Sequence, residues 1–124
     1  MLIGTAEDAA ALFRPFFQGA EAESVAVLHL DAERRVIGIT RDAAGGTEDV
    51  ELPLAAILGS ALKLGAAAIV IAHNHPSGDP EPSAADRDAT RRLAEAGAAM
   101  GVKLVDHLVF GGSDCRSMAA LGWL

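Results

Sequence analysis

The sequence predicts an α/β domain in which a mixed sheet is sandwiched by helices, and three observations carry that expectation. Two short apolar runs, 24–30 and 67–72, are rich in β-branched residues and bounded by turn residues, as strands buried on both faces are. Two longer segments, 53–65 and 83–100, instead repeat apolar residues at helical spacing. Strand-like and helix-like stretches alternate along the chain, which is the order expected when helices cover a sheet.

In chain order, residues from about Ala6 to Gln18 read as a helix with Ala9, Leu12, Phe13, Phe16 and Phe17 on one face. Pro15 should bend or break it, and the whole segment 1–22 is expected to pack on the rest of the domain. Ser24 to Leu30 is the first strand, Asp31 to Arg34 turn the chain, and Val36 to Thr40 form a hairpin partner. Gly45-Gly46 signals a second turn before a short strand from Thr47 to Leu52.

Pro53 suits a first helical turn, and Leu54, Ile57, Leu58, Ala61 and Leu62 then fall on one stripe that Gly65 closes. After the strand Ala67 to Ala72 comes a loop rich in proline and glycine, His73 to Pro82. The helix from about Ser83 to Met100 is expected to bury Ala85, Ala89, Leu93, Ala96 and Met100 before Gly101 ends it. Lys103 to Phe110 returns as a strand, and Gly111-Gly112 opens a tail without a legible element.

At 124 residues and 51% hydrophobic content, the chain is sized for one domain spanning 1–124. Its longest run without a polar residue, Leu64 to Ala72, has nine residues. A membrane-spanning helix needs roughly 20, so a soluble protein is expected. The first cation is Arg14, unlike a secretory leader, and the single Cys115 allows no internal disulfide. A cytoplasmic location follows as the expectation. Ten cations against seventeen anions, a net charge of −7, argue against direct binding to nucleic acid. Arg87, Arg91 and Arg92 could share a helix face, but Asp88 and Glu95 dilute it.

The chemistry is concentrated between His73 and Asp86. If His73 and His75 end a strand, their spacing of two puts both imidazoles on one side of the backbone. Asp86, eleven residues after His75, can return as a third ligand where the next helix starts. Two histidines, one carboxylate and an open fourth position make the ligand set of a catalytic zinc ion. A single anionic ligand leaves that ion the net positive charge that acidifies water.

Ser83-Ala84-Ala85-Asp86 is equally an ordinary capping box, and at this level both readings stand. His29, inside a buried strand, reads as a core histidine, and Cys115 has no assigned role. Asp106 and His107 are neighbours on a strand and point to opposite faces, so one of them at most approaches the site.

The pattern His-x-His, seven residues, Ser, two residues, Asp resembles the JAMM motif of MPN+ (JAB) metalloproteases at every position. The run His73-Asn74-His75-Pro76-Ser77-Gly78-Asp79-Pro80, and Val105-Asp106-His107-Leu108 followed by Gly111, more closely resemble the RadC-type bacterial branch. The resemblance covers about Glu23 to Leu124. It implies a cytidine-deaminase-like (JAB/MPN) fold, with Zn2+ held by His73, His75 and Asp86. It further implies Glu23 as general base, with Glu21 the weaker alternative, and Ser83 as hydrogen-bond donor to an oxyanion.

The implied activity is hydrolysis of an amide in a peptide or protein, by a metallopeptidase or isopeptidase. A DNA-repair association, carried by the RadC family name, and a non-catalytic MPN-like interaction module are the alternatives. Three departures bear on substrate and partners rather than on the zinc ligands. No helix-hairpin-helix region precedes Glu23, Leu52-Pro53-Leu54-Ala55-Ala56 replaces a charged Pro-Arg-Glu helix start, and the tail Ser117 to Leu124 lacks the charges common there.

Overall fold

Each of the two long apolar runs becomes an interior strand of one sheet. The computed structural model describes residues 1–43 and 52–124, and the elements follow in the order α1 (Ala6–Phe17), β1 (Ser24–Leu30), β2 (Val36–Ala43), α2 (Leu54–Leu64), β3 (Ala68–Asn74), α3 (Ala84–Ala99), β4 (Lys103–Gly111) and β5 (Asp114–Ser117). The turn expected at Gly45-Gly46 and the strand expected from Thr47 lie outside the described residues, apart from Leu52, which is in no strand.

The sheet order is β2-β1-β3-β4-β5. β3 and β4 run parallel, joined by the crossover through α3, and the other neighbours are antiparallel. β1 and β3 are buried on both faces because helices cover both sides of the sheet. Phe13 and Phe17 of α1 pack on Leu28, Val70, Ala72 and Leu108 on one side. On the other, Ile57 and Leu58 of α2 and Leu93 of α3 pack on Val25, Val27, Ile69 and Ile71.

Several expectations are corrected. α1 runs through Pro15 to Phe17, because the proline lies in its last turn and deprives it of one internal donor only. Leu62 is exposed, and α2 buries Ile57, Leu58 and Ala61 before Gly65 closes it at φ 69°. The tail contains β5, a polar strand that pairs with the end of β4.

Two further differences place the site. The buried stripe of α3 is Asp86, Thr90, Leu93 and Gly97, turned one residue from the apolar stripe read in the sequence. Met100, expected inside, is exposed. In β4 the register slips, since Ile69 pairs with Leu104 but Val70 pairs with Asp106. That bulge brings His107 to the α3 side, the side Leu104 also faces, and leaves Asp106 on the other. No described helix is long and apolar enough to cross a membrane.

Candidate metal centre

His73 is the penultimate residue of β3 and is fully buried, while His75 follows the strand end and is partly open. The His75 backbone N–H donates to Phe110 O at 2.7 Å, which ties the segment after β3 to the end of β4. The loop toward α3 crosses β4 at Gly111, where any Cβ would collide with the backbone of Asp79 and Pro80. Glycine is needed there because two chain segments meet without room for a side chain.

α3 then starts with Ser83 as its cap. Ser83 Oγ accepts from Asp86 N at 3.0 Å, and Asp86 Oδ2 accepts from Ser83 N at 2.8 Å. The capping box therefore forms, and it aims Asp86 inward, where the residue is 1% exposed.

His73, His75 and Asp86 each offer one ligand atom, and these atoms lie within 4.8 Å of one another. His73 Nε2 is 3.1 Å from His75 Nε2 and 3.2 Å from Asp86 Oδ1, and His75 Nε2 is 3.1 Å from Asp86 Oδ2. Donor atoms on a tetrahedral zinc ion, with bonds of 2.0–2.1 Å, would sit about 3.3–3.4 Å apart. The three separations, those to Asp86 taken to the nearer carboxylate oxygen, fall a few tenths of an ångström short of that spacing.

Two more observations test the fit. Asp86 Oδ1 is buried and has no hydrogen-bond partner among the described residues. His75 Nδ1 lies 2.8 Å from Asp79 O, a carbonyl that can only accept, so that nitrogen carries a proton; Nε2, 3.1 Å from Asp86 Oδ2, is the ring nitrogen left for a cation, which would displace any proton shared there. A partnerless carboxylate oxygen beside two imidazole Nε2 atoms suits a cation.

The charges respond accordingly. Burial pushes the Asp86 carboxyl up, but the adjoining His73 and His75 imidazoles and the Ser83 N–H outweigh it and hold Asp86 well below the usual carboxylate range. The Asp86 hydrogen bond holds His75 above the ordinary imidazole value against the effect of burial, and the charges of Asp86 and Glu23 act in the same direction.

Glu23 immediately precedes β1 and is not one of the three converging groups, yet its charge reaches His75. Its Oε2 is buried without a partner among the described residues. Asn74 fixes the backbone on either side of it: Asn74 Oδ1 accepts from Ser24 N at 2.8 Å, and Asn74 Nδ2 donates to Ala22 O at 3.0 Å. Glu21, the weaker alternative, is exposed.

Sequence reasoning missed Asn74, Thr90 and the placement of His107. His107 is fully buried with its Nε2 2.6 Å from His73 Nδ1 and its Nδ1 2.5 Å from Thr90 Oγ1. Burial drives its pKa well below the ordinary value. Asp106, on the opposite face, holds the tail through Ser117 Oγ and Ala119 N. Thr90 had a readable signal, a polar residue four positions after Asp86 on the same helix face. His29 pairs with Thr40 Oγ1 at 2.8 Å within the sheet, away from this centre.

A family model described as "RadC-like JAB domain" matches residues 3–123. A Vibrio cholerae protein named UPF0758 is 43% identical over 106 residues, covering 86% of this chain and 66% of that protein. A UPF0758 protein of Burkholderia mallei is 45% identical over 97 residues, covering 78% of this chain and 35% of that one. The chain thus spans less than two thirds of the length of either relative. The matched family accounts for the five-stranded mixed sheet flanked by helices, and the chain belongs to the RadC-like JAB domain family.

Proposed function

We propose that this chain is a zinc-dependent hydrolase of amide bonds, a metallopeptidase or isopeptidase, with a peptide or protein as substrate. The observation that carries the reading is the gathering of one ligand atom each from His73, His75 and Asp86 within 4.8 Å of one another, with Asp86 Oδ1 buried and partnerless among the described residues. Two imidazoles and one carboxylate select zinc over the harder cations, which prefer oxygen ligands throughout. Bound there, zinc would polarise a scissile carbonyl and lower the pKa of water.

The protein's own groups supply the rest. Glu23, with a buried and partnerless Oε2, accepts the proton of the attacking water and returns it to the leaving amine. Ser83 Oγ accepts from Asp86 N in the cap, and that role leaves its hydroxyl proton free to donate to the oxyanion. Asn74 keeps Glu23 in place by binding the backbone on both sides of it. The lone Cys115, its thiol pushed up to about 11 mainly by burial, is a poor nucleophile and has no part in this chemistry.

The test is zinc analysis of protein purified without chelator, followed by incubation with linear and isopeptide-linked substrate libraries. Glu23→Gln should retain zinc and lose at least about 100-fold in cleavage rate. Stoichiometric zinc with no cleavage by either protein would identify a non-catalytic module, and an undiminished Gln variant would exclude Glu23 as base.

A further inference from the structure

We propose that Thr90 and His107 are positioning residues that fix the tautomer of His73, so that its Nε2 presents a lone pair to the centre. This rests on the reading of the centre as a zinc site. It adds two residues, from a different strand and the next turn of α3, that nothing in the ligand motif contains.

The direction of each bond follows from counting protons. Thr90 Oγ1 lies 2.6 Å from Asp86 O, and a carbonyl cannot donate, so the one hydroxyl proton of Thr90 is spent there. Its contact with His107 Nδ1 then has the oxygen as acceptor, and Nδ1 of His107 carries a proton. A fully buried imidazole with no carboxylate in hydrogen-bond contact stays neutral, so His107 Nε2 has a lone pair. The remaining contact, between that nitrogen and His73 Nδ1, requires the proton on His73 Nδ1. His73 Nε2 is thereby left bare, 3.2 Å from Asp86 Oδ1 and 3.1 Å from His75 Nε2.

The hydrogen-bond chain begins and ends at the ligands. The carbonyl that orients Thr90 belongs to Asp86, the third ligand, and the turn of α3 that carries both also brings Thr90 against β4. The bulge between Leu104 and Asp106 is what turns His107 to this side. A plain helical role for Thr90, bonding back to the carbonyl four residues earlier, explains one of its two contacts and leaves the second without a purpose.

Thr90→Val removes the hydroxyl at nearly constant shape, and Thr90→Ser restores it. Zn2+ affinity would be measured for both and for wild type by competition with a chromophoric chelator. The tautomer of His73 would be read in the metal-free wild-type protein from long-range ¹H–¹⁵N imidazole correlations at about pH 8.5, above ordinary imidazole titration. The expected result is about a 10- to 100-fold weaker affinity for Thr90→Val, the usual cost of losing an outer-shell partner, with Thr90→Ser within about twofold of wild type. His73 should show a protonated Nδ1 and an unprotonated Nε2.

Wild-type affinity in folded Thr90→Val, or a His73 proton on Nε2 in the wild-type protein, would each overturn the proposal. If Thr90→Val does not fold, the wild-type tautomer decides. If the wild-type chain binds no zinc at all, the zinc reading fails, and the tautomer spectrum still separately supports or overturns the roles of Thr90 and His107.

Discussion

Thr5–Asp8 at the head of α1 and Ser83–Asp86 at the head of α3 are the same capping box built twice, each with reciprocal bonds between the cap residue and the aspartate three positions on. Asp8 is partly exposed, and its Oδ2 takes both nearby backbone donors, Gly4 N and Thr5 N. Asp86 is buried; its Oδ2 takes Ser83 N, and its Oδ1 is left facing His73. Capping and metal ligation are therefore compatible roles for one carboxylate, because it has two oxygens. What separates the two boxes is the surface opposite them: the α3 box meets the end of β3, where His73 and His75 converge.

Substituting the two aspartates should separate them most widely. Asp86→Ala is expected to weaken Zn2+ binding beyond the roughly 10- to 100-fold range typical of residues behind the ligands, and Asp8→Ala to leave it unchanged. Chelator competition measures both, and a comparable loss in Asp8→Ala would mean that overall stability rather than ligation sets the affinity.

The cap residues come next. Thr5→Ala and Ser83→Ala should each cost about 1 kcal/mol in urea unfolding. Only Ser83→Ala should also reduce kcat, by about 100-fold, as expected when an oxyanion donor is removed. Equal kcat values would reduce Ser83 to a cap. Asn74→Ala should lower kcat by about tenfold or more through a displaced Glu23 while zinc affinity holds. Loss of affinity in step with kcat would place its effect on the ligands instead.

The smallest expected effect concerns His29, a buried histidine away from the metal centre. Burial lowers its pKa against the raising charge of Asp42. The unfolded chain therefore takes up a proton that the folded one refuses, and stability falls as pH drops below about 6.5. His29→Leu should make the urea midpoint less steep in that range. An unchanged slope would assign the acid sensitivity elsewhere.

The ligands were legible in the sequence because His73, His75 and Asp86 are close along the chain and the strand period puts the two histidines on one side. The strands β1, β3 and β4 were legible from their apolar runs. The face of α3 was legible only in part: Leu93, Ala89 and Ala96 pack on the core as the apolar stripe predicts, but that stripe leaves out Thr90, whose partner His107 belongs to β4. His107 escaped for a similar reason: its orientation depends on a bulge, and no local spacing announces one. β5 was hidden because Asp114–Ser117 is short and polar, and it is a strand only by pairing with β4.

The most direct test of the central claim is anomalous diffraction at the zinc edge from a zinc-loaded crystal. One peak is predicted, about 2.0–2.2 Å from His73 Nε2, His75 Nε2 and Asp86 Oδ1, with Asp86 Oδ2 still bonded to Ser83 N. No peak at this point, or a peak there with Asp86 confined to its cap, would contradict it.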